Sequence, residues 1–239
     1  MAFNAQSFLA DPKTYLGTRR FLTPGNRSDS SLDISGRSSA FGMEIITVNN
    51  ASSFKTYGAT DNTQANSYDI SPAGDAFTGF WLPWNDDKAF VLHLTDKYSY
   101  FITAKMNSCG FIVGEKDGIP VAVHANITAS VPDPPSTFGM GKDEATELGR
   151  SHQSNVNAVY KLAYGNLAAK LISDGIFGAK PNVSVMDPEF YLTAKSGSAS
   201  VFGVKQSGGW KFFTNIHCVG NKGVTIELWP NQPKTLPVL

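Results

Sequence analysis

The sequence is short of the features that mark several large classes of protein. It has only two cysteines in 239 residues, Cys109 and Cys218, which is too few for a secreted scaffold held by disulfides. Lys plus Arg and Asp plus Glu number 20 each, so no basic excess is present to hold a nucleic acid or an anionic membrane. No window reaches the roughly 18 apolar residues of a membrane span. We therefore expect reduced thiols, no direct contact with nucleic acid and no membrane insertion.

Signals for export, metals and cofactors are missing as well. The first residues have neither the basic segment nor the long apolar run of a signal peptide, so release from a cell would use another route. The two cysteines and four histidines stand at no familiar ligand spacing, and Gly139 and Gly141 form no phosphate-binding motif. His217 and Cys218 are neighbours on a predicted strand, where their side chains face opposite ways. We expect no metal site and no cofactor, and we expect Cys218 to be a core residue.

The chain does have enough apolar residues, 41% of the total, to build a full core, and we expect one domain over residues 1–239. Short runs rich in Phe, Val, Ile and Tyr, separated by turn residues, predict strands. The predicted strands span residues 43–48, 77–82, 89–95, 98–104, 110–113, 120–125, 183–186, 190–193, 201–204, 211–216 and 224–228.

One helix is predicted over residues 155–173, where apolar residues recur at helical spacing and Gly175 follows as a C-terminal glycine. Polar stretches at 26–40 and 49–74 predict loops, with one possible short strand near Leu32 and Ile34. Strands before and after a helix predict an α+β fold, a β-sandwich of mixed sheets flanked by helices and long loops.

A tight hairpin is predicted where Asp117-Gly118 stands between two apolar runs. It places Cys109 just before one strand and His124 near the end of the other, so the two can be close in space. A cysteine nucleophile needs a neighbour that stabilises its thiolate, and a histidine can do so and later return the proton. Cys109 and His124 are therefore candidates for a nucleophile and its base, although buried cysteines and histidines are more often ordinary core residues.

Small residues surround Cys109. We expect Asn107, Ser108 and Gly110 to contact the substrate, because their backbone amides can form an oxyanion hole and Gly110 presents no side chain to obstruct it. Trp84 is either a core residue or an exposed contact for a target protein beside the site.

Residues 103–124, TAKMNSCGFIVGEKDGIPVAVH, resemble the active-site region of Burkholderia lethal factor and, more distantly, the catalytic domain of the cytotoxic necrotizing factors. In both, a cysteine at the start of a strand is followed 15 positions later by the catalytic histidine. In the lethal factor a threonine six residues before the cysteine completes the site, the place of Thr103 here. Residues 80–84, FWLPW, are similar to another element of the lethal factor, and the family's Leu-Ser-Gly-Cys reads Met-Asn-Ser-Cys in this chain.

The resemblance implies a monomeric bacterial toxin that deamidates a glutamine of a host protein in the host cytosol, without a cofactor. The thiolate of Cys109 would attack the carboxamide carbon, and His124 would protonate the departing ammonia and then activate water. Thr103 would orient His124 through its carbonyl or hydroxyl group. The implied target is the DEAD-box RNA helicase of translation initiation, with Rho-family GTPases as the alternative target.

Two other functions remain open at this stage. The same cysteine and histidine would serve a protease or a transglutaminase-like acyl transferase. A non-enzymatic, β-rich binding module is the remaining alternative, in which Cys109 and His124 are core residues.

Overall fold

The computed structural model describes residues 2–25, 27, 30, 32–72, 76–127, 131–178, 182–192, 197–218 and 222–231. Within these ranges the chain forms fourteen strands and four helices. The helices are α1 (Ala5–Ala10), α2 (Pro12–Leu16), α3 (Lys142–Ser173) and α4 (Glu189–Leu192). The strands are β1 (Arg20–Leu22), β2 (Ile34–Ala40), β3 (Met43–Val48), β4 (Phe54–Asn62), β5 (Ser67–Pro72), β6 (Phe77–Leu82), β7 (Lys88–His93), β8 (Tyr100–Thr103), β9 (Cys109–Lys116), β10 (Ile119–Asn126), β11 (Ser184–Met186), β12 (Ala199–Gln206), β13 (Gly209–Cys218) and β14 (Lys222–Trp229).

The strands form two mixed sheets. One has eight strands in the order β1-β5-β4-β6-β8-β12-β13-β14, and the other has six in the order β11-β9-β10-β7-β3-β2. Parallel pairs occur in both, at β1–β5 and β6–β8 in the larger sheet and at β3–β7 in the smaller one. The predicted α+β sandwich of mixed sheets is confirmed.

The main core lies between the two sheets. Phe101 and Phe212 of the larger sheet pack on Phe111 of the smaller one, with ring centroids 6.0 and 6.1 Å from the Phe111 ring. The outer face of the smaller sheet is covered by α3, whose Tyr164 and Leu167 share a second cluster with residues of β9 and β10. Phe8 of α1 packs against the outer face of the larger sheet. The site described below lies at one end of the space between the sheets.

The long helix α3 ends where the sequence predicts, with Gly175 at a positive φ of 69° just beyond it. It begins at Lys142, however, well before the predicted start at residue 155. Its first buried residue is Val156, and the preceding turns are polar and largely exposed. The first half of α3 therefore carries no apolar periodicity from which it could be predicted. His152, which the sequence places in a polar stretch before the helix, lies within it.

Three further predictions need correction. The strand predicted at 190–193 is the short helix α4 over its described residues, because Asp187 accepts a hydrogen bond from the Phe190 amide (3.3 Å) and starts a helical turn. Residue 193 lies outside the described residues. The loop predicted at 49–74 contains β4 and β5, and the one at 26–40 contains β2. Residues 26, 28, 29, 31, 73 and 74 of those loops lie outside the described residues.

The hairpin of β9 and β10 is confirmed. Asp117 and Gly118 both have positive φ, 53° and 77°, as a tight two-residue turn requires. From this turn the two strands pair without a bulge up to Cys109, which stands directly opposite Asn126. None of the helices in the described ranges has the length and apolar content needed to cross a membrane.

Candidate active site

Cys109, His124 and Asn126 share one face of the β9–β10 hairpin. Cys109 pairs with Asn126, and His124 lies two residues before Asn126 on the same strand, so all three side chains point the same way. These three side chains face the core between the sheets. Phe111, the register partner of His124, points to the same face and belongs to that core. Such diagonal neighbours have Cα atoms roughly 7–8 Å apart and side chains that can approach more closely. The predicted proximity of the cysteine and the histidine is thus present in the fold.

Thr103 faces the same interior from the opposite sheet. It ends β8, where Phe101 points into the core between the sheets and Ile102 points to the outer face. By alternation Thr103 faces inward, and it is completely buried. Three residues that the sequence associates with catalysis therefore converge on one buried region.

The Cys109 thiol is a free cysteine held as a neutral group. Its side chain is buried, and Asn126 Nδ2 donates a hydrogen bond to its sulfur at 3.3 Å. Burial raises the pKa of Cys109 to about 11, and the hydrogen bond from Asn126 acts against that rise. At neutral pH the resting sulfur is therefore a thiol, which must lose its proton before or during any attack.

His124 is fully buried, and neither ring nitrogen makes a hydrogen bond of ordinary distance and angle among the described residues. Burial lowers its pKa to about 4, and the backbone acceptors of Leu82 and Pro83 near the ring act in the opposite direction. The ring is thus neutral at physiological pH and has a lone pair available. An unpaired buried polar group costs about 1–3 kcal/mol, a penalty that an ordinary core position would avoid with an apolar side chain. In the resting arrangement the imidazole is neutral and makes no hydrogen bond to the Cys109 sulfur among the described residues.

Thr103 does not orient His124 through its hydroxyl group. That hydroxyl donates to the Ala104 carbonyl at 2.7 Å, because the chain turns so that this acceptor lies within reach. Leu82 and Pro83, the two central residues of the FWLPW element, lie beside the imidazole instead. Thr103 is the register partner of Leu82 in the larger sheet, so it supports this element rather than the ring directly.

A small cavity of about 90 Å³ leads to Cys109. Three of the four residues predicted to contact substrate line it, and His124 is not among the lining residues. The lining residues are Gly25, Trp84, Lys105, Asn107, Ser108, Cys109 and Asn126. Trp84 is partly exposed and donates from Nε1 to the Gly25 carbonyl at 3.1 Å, so its indole forms part of the rim. The cavity is narrow enough to admit one slender side chain.

The role expected for Gly110 is wrong. It does not line the cavity but faces α3, where a Cβ would stand 2.4 Å from the ring of Tyr164. Glycine is needed here so that the tyrosine ring can cross the strand. The Tyr164 hydroxyl then donates to the Ala125 carbonyl (3.2 Å), and the Tyr191 hydroxyl of α4 donates to the Cys109 carbonyl (2.9 Å). These two contacts fix the backbone around the cysteine, with Tyr164 in the cluster on the outer face of the sheet and Tyr191 in the cluster between the sheets.

Sequence analysis missed Asn126 and Lys105. Lys105 follows Thr103 closely but belongs to no strand, so nothing in the local pattern places it beside the cavity. Asn126 did leave a signal. Counting back from the Asp117-Gly118 turn puts it opposite Cys109, and it repeats the polar character of His124 at the alternate position of an otherwise apolar strand.

No family model matches the chain, and no curated protein matches its sequence. Within the described ranges, no group of three His, Cys, Asp or Glu side chains is placed to hold a metal ion. What bears on function is therefore the arrangement of side chains around Cys109.

Proposed function

We propose that this chain is a protein-glutamine deamidase in which Cys109 is the nucleophile and His124 the general base. The single observation that carries the proposal is the position of Cys109, which lines a small cavity and stands diagonally beside a buried, neutral imidazole on the same hairpin. A thiol and a base are the two groups that thiol-dependent acyl transfer uses, and proton transfer requires the His124 ring to come within hydrogen-bond reach of the sulfur, a contact that the described residues do not make.

In the proposed reaction a glutamine side chain of another protein enters the cavity. The sulfur of Cys109 attacks the carboxamide carbon while its proton passes to His124, because neither group is charged in the resting site. The imidazolium then gives this proton to the nitrogen, the C–N bond breaks, and ammonia leaves a thioester on Cys109. Water, deprotonated by His124, attacks the thioester, and the products are glutamate and the free thiol.

The size of the cavity supports a side-chain amide as the substrate. A protease must bind an extended backbone that runs past the nucleophile on both sides. A cavity of about 90 Å³ lined by residues such as Trp84, Asn107 and Ser108 is nearer in size to one side chain. Deamidation is therefore favoured over cleavage of a peptide bond.

The finer part of the proposal is the target, the DEAD-box RNA helicase of translation initiation. Its support is the resemblance of the Thr103–Cys109–His124 spacing and of the FWLPW element to the lethal factor. In this chain that element borders the site, since Leu82 and Pro83 lie beside His124 and Trp84 lines the cavity. Under this proposal the protein is bacterial, acts as a monomer in the host cytosol and blocks translation initiation. Rho-family GTPases are the alternative target.

The proposal is tested by incubating a host-cell lysate with the wild-type chain and with Cys109→Ser. Mass spectrometry should show conversion of one glutamine to glutamate in the helicase with the wild type and no product with the variant. Cys218→Ser, the same change at the other cysteine, is the matched control and should retain activity.

Other reaction products would assign a different reaction or a different target. Peptide fragments indicate a protease, amine-linked glutamines indicate a transglutaminase, and a deamidated GTPase changes the target alone. If the wild type modifies no host protein, or if Cys109→Ser keeps the biological effect, the enzymatic assignment is wrong and a binding module takes its place.

A further inference from the structure

We propose that Asn126 selects the substrate's primary carboxamide: its Oδ1 accepts a hydrogen bond from the amide N–H while its Nδ2 holds the thiol of Cys109. This inference rests on the proposed function and deepens it, because it assigns a residue to the choice of amide.

The position of Asn126 leads to this assignment. It stands directly opposite Cys109 across the hairpin, is 2% exposed, and lines the same cavity. Its Nδ2 donates to the cysteine sulfur at 3.3 Å. The other end of its amide, Oδ1, is buried and has no hydrogen-bond partner among the described residues. The nitrogen of this amide therefore bonds to the nucleophile, and its oxygen is an unpaired acceptor in the same side chain.

The chemistry of an unpaired acceptor defines what it recognises. A primary carboxamide offers two N–H donors, and placing one against Oδ1 satisfies the buried oxygen. A carboxylate offers acceptors alone, so a glutamate side chain would set oxygen against oxygen. An aliphatic side chain would leave Oδ1 unpaired. Sites with a buried hydrogen-bonding group discriminate strongly against analogues that lack the complementary group. The same preference ejects the glutamate product.

The bond to the sulfur gives Asn126 its orientation. Because Nδ2 is on the Cys109 sulfur, Oδ1 is the end of the amide left to accept an N–H of a substrate held at that sulfur. The backbone of Ser108 and Asn107 also faces the sulfur and, like the Asn126 side chain, acts against the rise in the pKa of Cys109. Among the side chains that line the cavity, Asn126 is the one with a hydrogen bond to the sulfur in the described residues.

The test uses two small alkylating reagents that need no protein substrate. Iodoacetamide carries a primary carboxamide, and iodoacetone has a methyl group in place of the amide nitrogen. Their rates at Cys109 are measured by peptide mass mapping, and each is divided by its rate with glutathione to remove intrinsic reactivity. The wild type should prefer iodoacetamide. Asn126→Leu should reduce this preference about tenfold, as expected for one buried hydrogen bond.

A second variant guards against a failure of Asn126→Leu to fold. Asn126→Ser keeps a polar group too short to reach the substrate nitrogen and should lose the preference as well. The inference is overturned if the wild type shows no preference for iodoacetamide. It is overturned equally if both variants keep the ratio, including the case in which both reagents slow alike, since Asn126 would then act on the thiol alone.

The outcome is separable from that of the deamidation assay. A retained ratio in the variants together with deamidation by the wild type overturns the role of Asn126 and leaves the enzyme intact. A lost ratio without deamidation of any host protein keeps the carboxamide site and removes the proposed reaction.

Discussion

His124 and His217 are both buried in the sandwich, yet their ring nitrogens meet different surroundings. One lies on β10 of the smaller sheet and the other on β13 of the larger sheet, and burial lowers the pKa of each to about 4. His217 Nδ1 lies 3.0 Å from the Ser198 hydroxyl, and its Nε2 lies 3.3 Å from the Phe21 carbonyl. Neither nitrogen of His124 has such a partner among the described residues.

The hydrogen bonds of His217 identify its function. A carbonyl can only accept, so Nε2 carries the proton toward Phe21 and Nδ1 accepts from the Ser198 hydroxyl. The ring thereby connects β13 to β1 and to the residue before β12, which is what a structural histidine does. His124 is buried to a similar degree but does not connect strands through hydrogen bonds of this kind among the described residues. Two histidines with the same burial therefore differ in how well their ring nitrogens are satisfied, and under the proposed function this difference separates the structural ring from the catalytic one.

The largest effect expected from this comparison is on activity. His124→Leu should lower the rate of deamidation at least about 100-fold, because it removes the general base. His217→Leu, the same change at the structural histidine, should leave the rate per folded molecule within a few-fold. Both are measured as kcat on the identified host protein. Equal losses in the two variants would mean that His124 contributes no chemistry of its own.

The second effect is on stability, and the two variants should differ in sign. His217→Leu leaves the Ser198 hydroxyl and the Phe21 carbonyl short of a partner and should lower the free energy of unfolding by about 2–4 kcal/mol. His124→Leu replaces an unpaired polar ring with an apolar side chain and should leave that free energy unchanged or raise it by about 1 kcal/mol. Denaturant unfolding at pH 7 gives both values. A large loss in His124→Leu would show contacts that hold this ring in place for structural reasons.

The smallest effect is the pH dependence, which the two histidines share. Their pKa in the folded chain, about 4, lies below the ordinary 6.5, so the unfolded chain binds more protons between these values. Stability is therefore present above pH 6.5 and is lost as the pH falls toward 4. Each histidine should account for about 2 kcal/mol between pH 7 and pH 5.

Replacing either histidine by leucine should remove its own share of this slope. Unfolding titrations at pH 7 and pH 5 on the wild type and both single variants measure the two shares. Identical slopes in all three proteins would place the acid sensitivity elsewhere, in groups other than these two rings.

Local sequence signals predicted the hairpin and the ends of most strands. The Asp117-Gly118 turn is decisive because only certain residues accept two successive positive φ angles, and the register of Cys109 and His124 follows from it. The end of α3 at Gly175 is predictable for a similar reason. What failed was the prediction of elements without an apolar face, such as the first half of α3, whose side chains are largely exposed.

The site itself was predictable only in part. Cys109 and His124 lie on one hairpin, so turn chemistry brings them together. Tyr164 and Tyr191, which lie on helices far along the chain, donate hydrogen bonds to the carbonyls of Ala125 and Cys109. No local sequence pattern predicts such contacts. Gly110 shows most clearly what the sequence cannot predict. A glycine beside the cysteine indicates that something packs closely there, but only the fold decides whether that is a substrate or, as here, the Tyr164 ring.

The Gly110 contact has a consequence for the whole hairpin. At this point the Cys109 thiol lies on the inner face of the smaller sheet, and the Tyr164 ring packs directly against the outer face of the same strand. No layer of side chains separates the strand backbone from the ring, so a movement of the ring also moves the backbone. A shift of α3 by a fraction of a bond length would therefore pass directly to the sulfur, and the accuracy with which the Cys109 thiol is placed is set by a helix that does not line the cavity.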